Sequence, residues 1–202
     1  MSPPNAPLGK PPSGYNEVLY WKISEEPKRL VIMNFLPILL AIVFGIGFFI
    51  FIRVFGGSPQ LTLSNQGILI FLIGIPIILA LHEFVHGIIM QSFGARPRYG
   101  FWIKGLMFYA KAPGYTFQRN QYALIVLAPL VSISVLMCLG IFLLASNSIV
   151  WVLALWAIVN ASAANADVWI TALVLRYPRS AYIVDERDGM RILLAESDAK
   201  VK

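Results

Sequence analysis

Four long apolar runs, at residues 30–52, 66–93, 121–145 and 149–175, are separated by short polar stretches. Each reaches the roughly 20 residues that cross a bilayer at 1.5 Å rise per residue. The pattern predicts an all-α membrane protein of about four transmembrane helices. Pro37 lies inside the first run, where a membrane helix tolerates a kink. The stretches GGSPQ and TLSNQG read as a polar turn after the first helix, and ASNS at 145–148 as a tight turn before the fourth. Between helices two and three, RPRYGFWIKGLMFYAKAPGYT mixes aromatic and apolar residues with Gly105 and Pro113. A short β-hairpin turning at Lys104-Gly105 and an aromatic anchor at the membrane surface fit this loop equally. An exposed strand edge there, near Phe108 and Tyr109, could bind an extended peptide by main-chain pairing.

The flanks complete a three-part organisation. Residues 1–29 read as a proline-rich, disordered-to-interfacial segment, with Tyr20 and Trp21 at headgroup level. Residues 30–175 form the membrane domain, and 176–202 a polar tail. The opening is too polar for a signal peptide, so the first helix is expected to insert the chain.

Composition agrees: 58% of residues are hydrophobic and only 13% charged, which a soluble domain of this length would not show. The net charge of +6 does not imply nucleic acid, because the cations fall between apolar runs. Residues 1–29 hold four Lys/Arg, 94–120 hold five and 176–202 hold six, leaving only Arg53 elsewhere. With four spans those three segments share one side. The positive-inside rule then places both termini and the middle loop in the cytoplasm, with the plasma membrane the expected location. The one cysteine, Cys138, excludes an intramolecular disulfide.

Of ten acids only Glu83 and Asp167 fall within spans, and the chain's two histidines, His82 and His86, flank Glu83. An ionisable residue at mid-membrane costs roughly 2.5–3.5 kcal/mol, whereas interhelical hydrogen bonds return about 0.6 kcal/mol. Structural glue therefore explains three such neighbours poorly. Histidines four apart share a helix face and can bind one Zn²⁺, with the glutamate between them as general base; this is the HExxH arrangement. A catalytic zinc takes three protein ligands. With no third histidine, Asp167 is selected by elimination. The depths agree: His82–His86 lies roughly 10–17 Å, and Asp167 about 12 Å, from the cytoplasmic ends of their helices. Asn160, seven residues before Asp167 and so on the same stripe of a continuous helix, could orient substrate, donate to an oxyanion or bond another helix.

HEFVHG, KGLMFYAKAP, LAPL at 127–130, NASAANAD and the opening SGYNEVLYWKIS together resemble the small zincin peptidases of the membrane, distant relatives of the site-2 proteases. Site-2 proteases cleave membrane-spanning substrates with zinc held by two His and one Asp from two helices. The resemblance implies the same roles for His82, His86 and Asp167, with Glu83 as base. Val168 stands after Asp167 where site-2 proteases have glycine, and Ala128-Pro129 lacks the glycine of their AGP.

The expected function is a zinc-dependent integral-membrane peptidase acting near the cytoplasmic leaflet. Its partners would be the lipid bilayer and a peptide or membrane-protein substrate. The alternative is a non-catalytic zinc-binding membrane protein with a structural, sensing or partner-binding role.

Overall fold

The computed structural model describes residues 9–11, 13–22, 27–57, 64–102, 107–186 and 189–199. Its elements run β1 (Tyr15–Lys22), α1 (Pro27–Phe55), α2 (Asn65–Ser92), β2 (Arg98–Trp102), β3 (Met107–Lys111), β4 (Thr116–Gln118), α3 (Arg119–Leu143), α4 (Ile149–Ala163), α5 (Asn165–Val174), β5 (Tyr182–Asp185), β6 (Gly189–Ala195) and α6 (Glu196–Ala199). Contacts divide the chain into two units. One comprises residues 31–82 and 128–166, the other 1–30, 83–127 and 167–202.

The first unit is helical. α1, α2 and α3 are each long and apolar enough to cross a membrane, and α4 with α5 makes a fourth if that bent pair is one span. Phe35, Leu39, Ile46, Val54, Leu69 and Ile77 are exposed, an arrangement that suits hydrocarbon better than water. Inside, Phe48, Ile52, Ile78, Ile133, Met137, Ile141, Val150 and Ala157 form a continuous core. Small residues set the helix spacing. The Trp156 indole lies where a side chain on Gly74 would project, and its Nε1–H donates to the Phe71 carbonyl at 3.1 Å.

The fourth apolar run is broken, not continuous: α4 and α5 meet at 47°. Asn165 makes the break, its Nδ2 donating to the Ser162 carbonyl at 3.0 Å and reaching the Ala163 carbonyl at 3.5 Å. Carbonyls that a continuing helix would satisfy are capped by a side chain instead. The expectation that Asn160 and Asp167 share one helical stripe is thereby overturned.

The second unit corrects the all-α expectation, because it holds a four-stranded antiparallel sheet ordered β1-β6-β5-β4. Its strands come from both ends of the chain: Tyr15 pairs Ala195 and Lys22 pairs Gly189. Phe117, Ile183 and Ile192 are fully buried, and Trp21, expected at headgroup level, is 1% exposed. β2 and β3 form a separate antiparallel hairpin, with Tyr99 opposite Ala110; the turn expected at Lys104-Gly105 lies outside the described residues.

Asp185 ends β5 and pins the turn after β3. Its Oδ2 accepts from the Ala112 N–H at 2.6 Å, its carbonyl from the Gly114 N–H at 2.8 Å, and its own N–H donates to the Tyr115 carbonyl at 3.1 Å. Burial is the main reason its carboxyl is raised to about 6.

Gly74→Ala should displace the Trp156 ring and lower stability by about 1–3 kcal/mol, as overpacking does. Gly47→Ala, with open space around the new methyl, should not; equal melting temperatures for both variants in detergent would contradict this packing. The folded chain holds the Asp185 proton more tightly than the unfolded chain does. Stability from this group is therefore full below about pH 4 and declines as pH rises through about 6. Asp185→Asn should remove that decline, and thermal scans from acid to neutral pH that fall equally in both proteins would refute it.

Candidate metal centre

α2 carries His82 and His86 one turn apart, and both are buried. A buried imidazole in apolar surroundings must place both ring nitrogens. The Nδ1 of His86 stands 2.8 Å from the Ile125 carbonyl oxygen. A carbonyl only accepts, so Nδ1 carries the proton and the Nε2 lone pair is left to bind a metal.

That carbonyl is available for a reason written in the sequence. Pro129 follows Ile125 by four residues in α3. Having no N–H, it cannot make the helical bond to residue i−4, and its ring pushes that carbonyl aside. The gap in the helix ladder is filled by His86.

His82 is fixed by a relay. Its Nδ1 lies 2.9 Å from Asn160 Oδ1, and Asn160 Nδ2 donates to the Pro129 carbonyl at 3.3 Å. Because that carbonyl can only accept, the amide orientation is set, and Asn160 presents oxygen to the imidazole. His82 Nδ1 must then be the donor, and its Nε2 is again the metal-facing nitrogen. Asn160 is fully buried, with both ends of its amide engaged.

Asp167 sits in the first turn of α5, just past the helix break. Its Oδ2 lies 3.6 Å from His86 Nε2, too long for a hydrogen bond. Two ligands about 2.0–2.2 Å from one tetrahedral zinc stand roughly 3.3–3.5 Å apart, so the spacing suits a shared ion. One ligand atom from each of His82, His86 and Asp167 lies within 4.8 Å of the others, the grouping of metal-binding residues found among the described residues. Nitrogen and oxygen donors in a set of three, the histidines buried and the aspartate partly so, match the chemistry of a catalytic zinc site, which keeps a position for substrate.

Glu83 Oε2 accepts from the Ala110 N–H of β3 at 2.8 Å. The geometry thus brings together the predicted trio His82, His86 and Asp167, sets Glu83 against the hairpin, and joins Asn160 to a histidine. Three backbone groups were not foreseen: the Ile125 and Pro129 carbonyls and the Ala110 N–H. Only the first had a sequence signal, a proline four residues beyond an apolar position inside a helix.

A family profile described as "Putative zincin peptidase" matches residues 75–182, 108 of the 202 residues and so just over half of the chain. The matched stretch contains His82, Glu83, His86, Asn160 and Asp167. No curated protein and no solved structure matches the chain.

Pro129→Ala should restore the helical N–H to the Ile125 carbonyl, which then competes with His86. Asn160→Ala should unlock His82. Each variant keeps all three donors yet should bind zinc about 10- to 100-fold more weakly in chelator competition, as lost ligand supports do. Wild-type affinity in both would show that these hydrogen bonds do not orient the ligands.

Proposed function

The chain belongs to the "Putative zincin peptidase" family, and on that premise we propose that it is a zinc-dependent integral-membrane peptidase cleaving peptide bonds near the cytoplasmic leaflet. The observation that carries the reading is the donor set: two buried imidazoles, each with Nδ1 committed to an oxygen acceptor, with a partly buried aspartate. A structural zinc site is closed by four protein ligands, whereas three gather here among the described residues. The cytoplasmic placement is supported by the distribution of Lys and Arg.

His82, His86 and Asp167 would hold the ion. When bound, zinc supplies Lewis acidity that activates a water and polarises the scissile carbonyl. Glu83 is the general base. It accepts a proton from the attacking water as the water oxygen bonds to the carbonyl carbon. It then delivers that proton to the amine nitrogen as the C–N bond breaks. Asn160 works through His82 as a positioning residue; with its amide engaged at both ends, roles at substrate or oxyanion are less well supported.

The outer edge of β3 suits a substrate in extended form. Pairing there would take over the Ala110 N–H and release the Glu83 carboxylate for proton transfer. A membrane-spanning substrate must unwind locally to present such a strand, because a helical peptide bond is shielded by its own hydrogen bonds.

The test is cleavage of a peptide library by full-length protein in lipid nanodiscs, read by mass spectrometry beside elemental analysis. Glu83→Gln should keep about one zinc per chain, as a ligand set without Glu83 requires, and lose at least about 10²-fold in rate, the usual worth of a general base. Cleavage undiminished in this variant, or in metal-stripped protein, would refute the mechanism.

A further inference from the structure

A second polar site lies within the sheet-bearing unit. A cavity of about 440 Å³ is lined by Lys10, Arg96 and Arg98, with Gly9, Gly94 and the 112–115 turn completing its walls. Three cations line it and no acid does. They arrive from two distant stretches of chain, and the walls between them are held by specific bonds.

Tyr115 Oη donates to the Phe93 carbonyl at 2.7 Å, joining the turn to the end of α2. The Thr116 N–H donates to the Gly9 carbonyl at 3.2 Å. Gly9 has φ +81°, and a side chain there would run into the Tyr115 ring; glycine is what lets this segment lie flat and bring Lys10 alongside. Asp185 clamps the remaining wall from beneath.

The electrostatics point the same way. Arg98 stands directly opposite Lys111 across the β2–β3 ladder, which gathers positive charge at this end of the hairpin. Two other arginines have partners within the chain: Arg119 at the Tyr177 carbonyl, and Arg191 at Glu186 and Glu17. The carbonyls that end α2 already have hydrogen-bond donors within the chain. Those of Ile89, Met90, Gln91 and Phe93 are capped by Ser92 Oγ, the Phe93 and Ala95 N–H groups, the Gly94 N–H and Tyr115 Oη respectively.

We infer that this cavity binds a phosphate-bearing anion, and that the headgroup of an anionic phospholipid is its source. Paired arginines and a lysine match a phosphate, which offers several acceptor oxygens to forked and single donors. The location selects the lipid: Arg96 lies four residues past the end of α2, an apolar helix long enough to span a bilayer, at the level where headgroups begin. This step rests on α2 being a span. It does not require the peptidase reading.

The experiment is ³¹P NMR of full-length protein in a neutral detergent, titrated separately with short-chain phosphatidylglycerol and with inorganic phosphate. Wild type should broaden the phosphatidylglycerol signal saturably, with about one site per chain. R96Q/R98Q should weaken that binding at least tenfold, and K10Q several-fold. R176Q/R179Q removes the same charge from exposed positions outside the cavity and should bind as wild type does. Circular dichroism of each variant checks folding. Equal saturation by inorganic phosphate would keep the anion site and overturn the lipid as its source. No saturation with either probe, or equal loss in the two double variants, would overturn the site itself.

Discussion

A missing amide hydrogen organises the candidate metal centre. Pro129 leaves the Ile125 carbonyl without its helical partner, and His86 takes that place. The carbonyl of Pro129 itself anchors Asn160, which fixes His82. In an apolar setting every unpaired polar group costs several kcal/mol. The demand to satisfy one carbonyl and two imidazoles therefore does what flexible side chains in water would not: it selects one tautomer for each histidine and aims both Nε2 atoms outward from their supports. The aspartate lies in the first turn of α5 because α4 ends at Ala163 and a new helix starts at Asn165.

The same economy runs through Glu83, the base of the proposed mechanism. It is adjacent in sequence to His82, and its carboxylate accepts from a strand N–H. β3 and the residue just past it offer N–H groups to two acids, Glu83 at Ala110 and Asp185 at Ala112. The C-terminal end of this short strand thus both holds Glu83 and shapes the wall of the basic cavity.

Much of this was legible in the sequence, for physical reasons that differ by element. α1, α2 and α3 follow long apolar runs, and the observed bounds differ from the expected ones by only a few residues. His82, Glu83, His86 and Asp167 stood out because ionisable groups are expensive in such runs. The sheet was hidden. β5 is four residues long, β1 and β6 carry charges among their apolar positions, and their partners lie about 170–180 residues apart, beyond the reach of local periodicity. The break at Ala164 was hidden too, since NASAANAD contains neither glycine nor proline; it depends on Asn165 turning back on the end of α4. The service of Pro129 could be read only once His86 was known to face Ile125.

Zinc-edge X-ray absorption on full-length protein, purified without added metal, tests the central claim most directly. Zinc held by His82, His86 and Asp167 should show a shell of nitrogen and oxygen donors at about 2.0–2.2 Å, with the outer-shell pattern of two imidazoles. Sulfur scattering near 2.3 Å, a single imidazole, or protein that takes up no zinc even after reconstitution would contradict it.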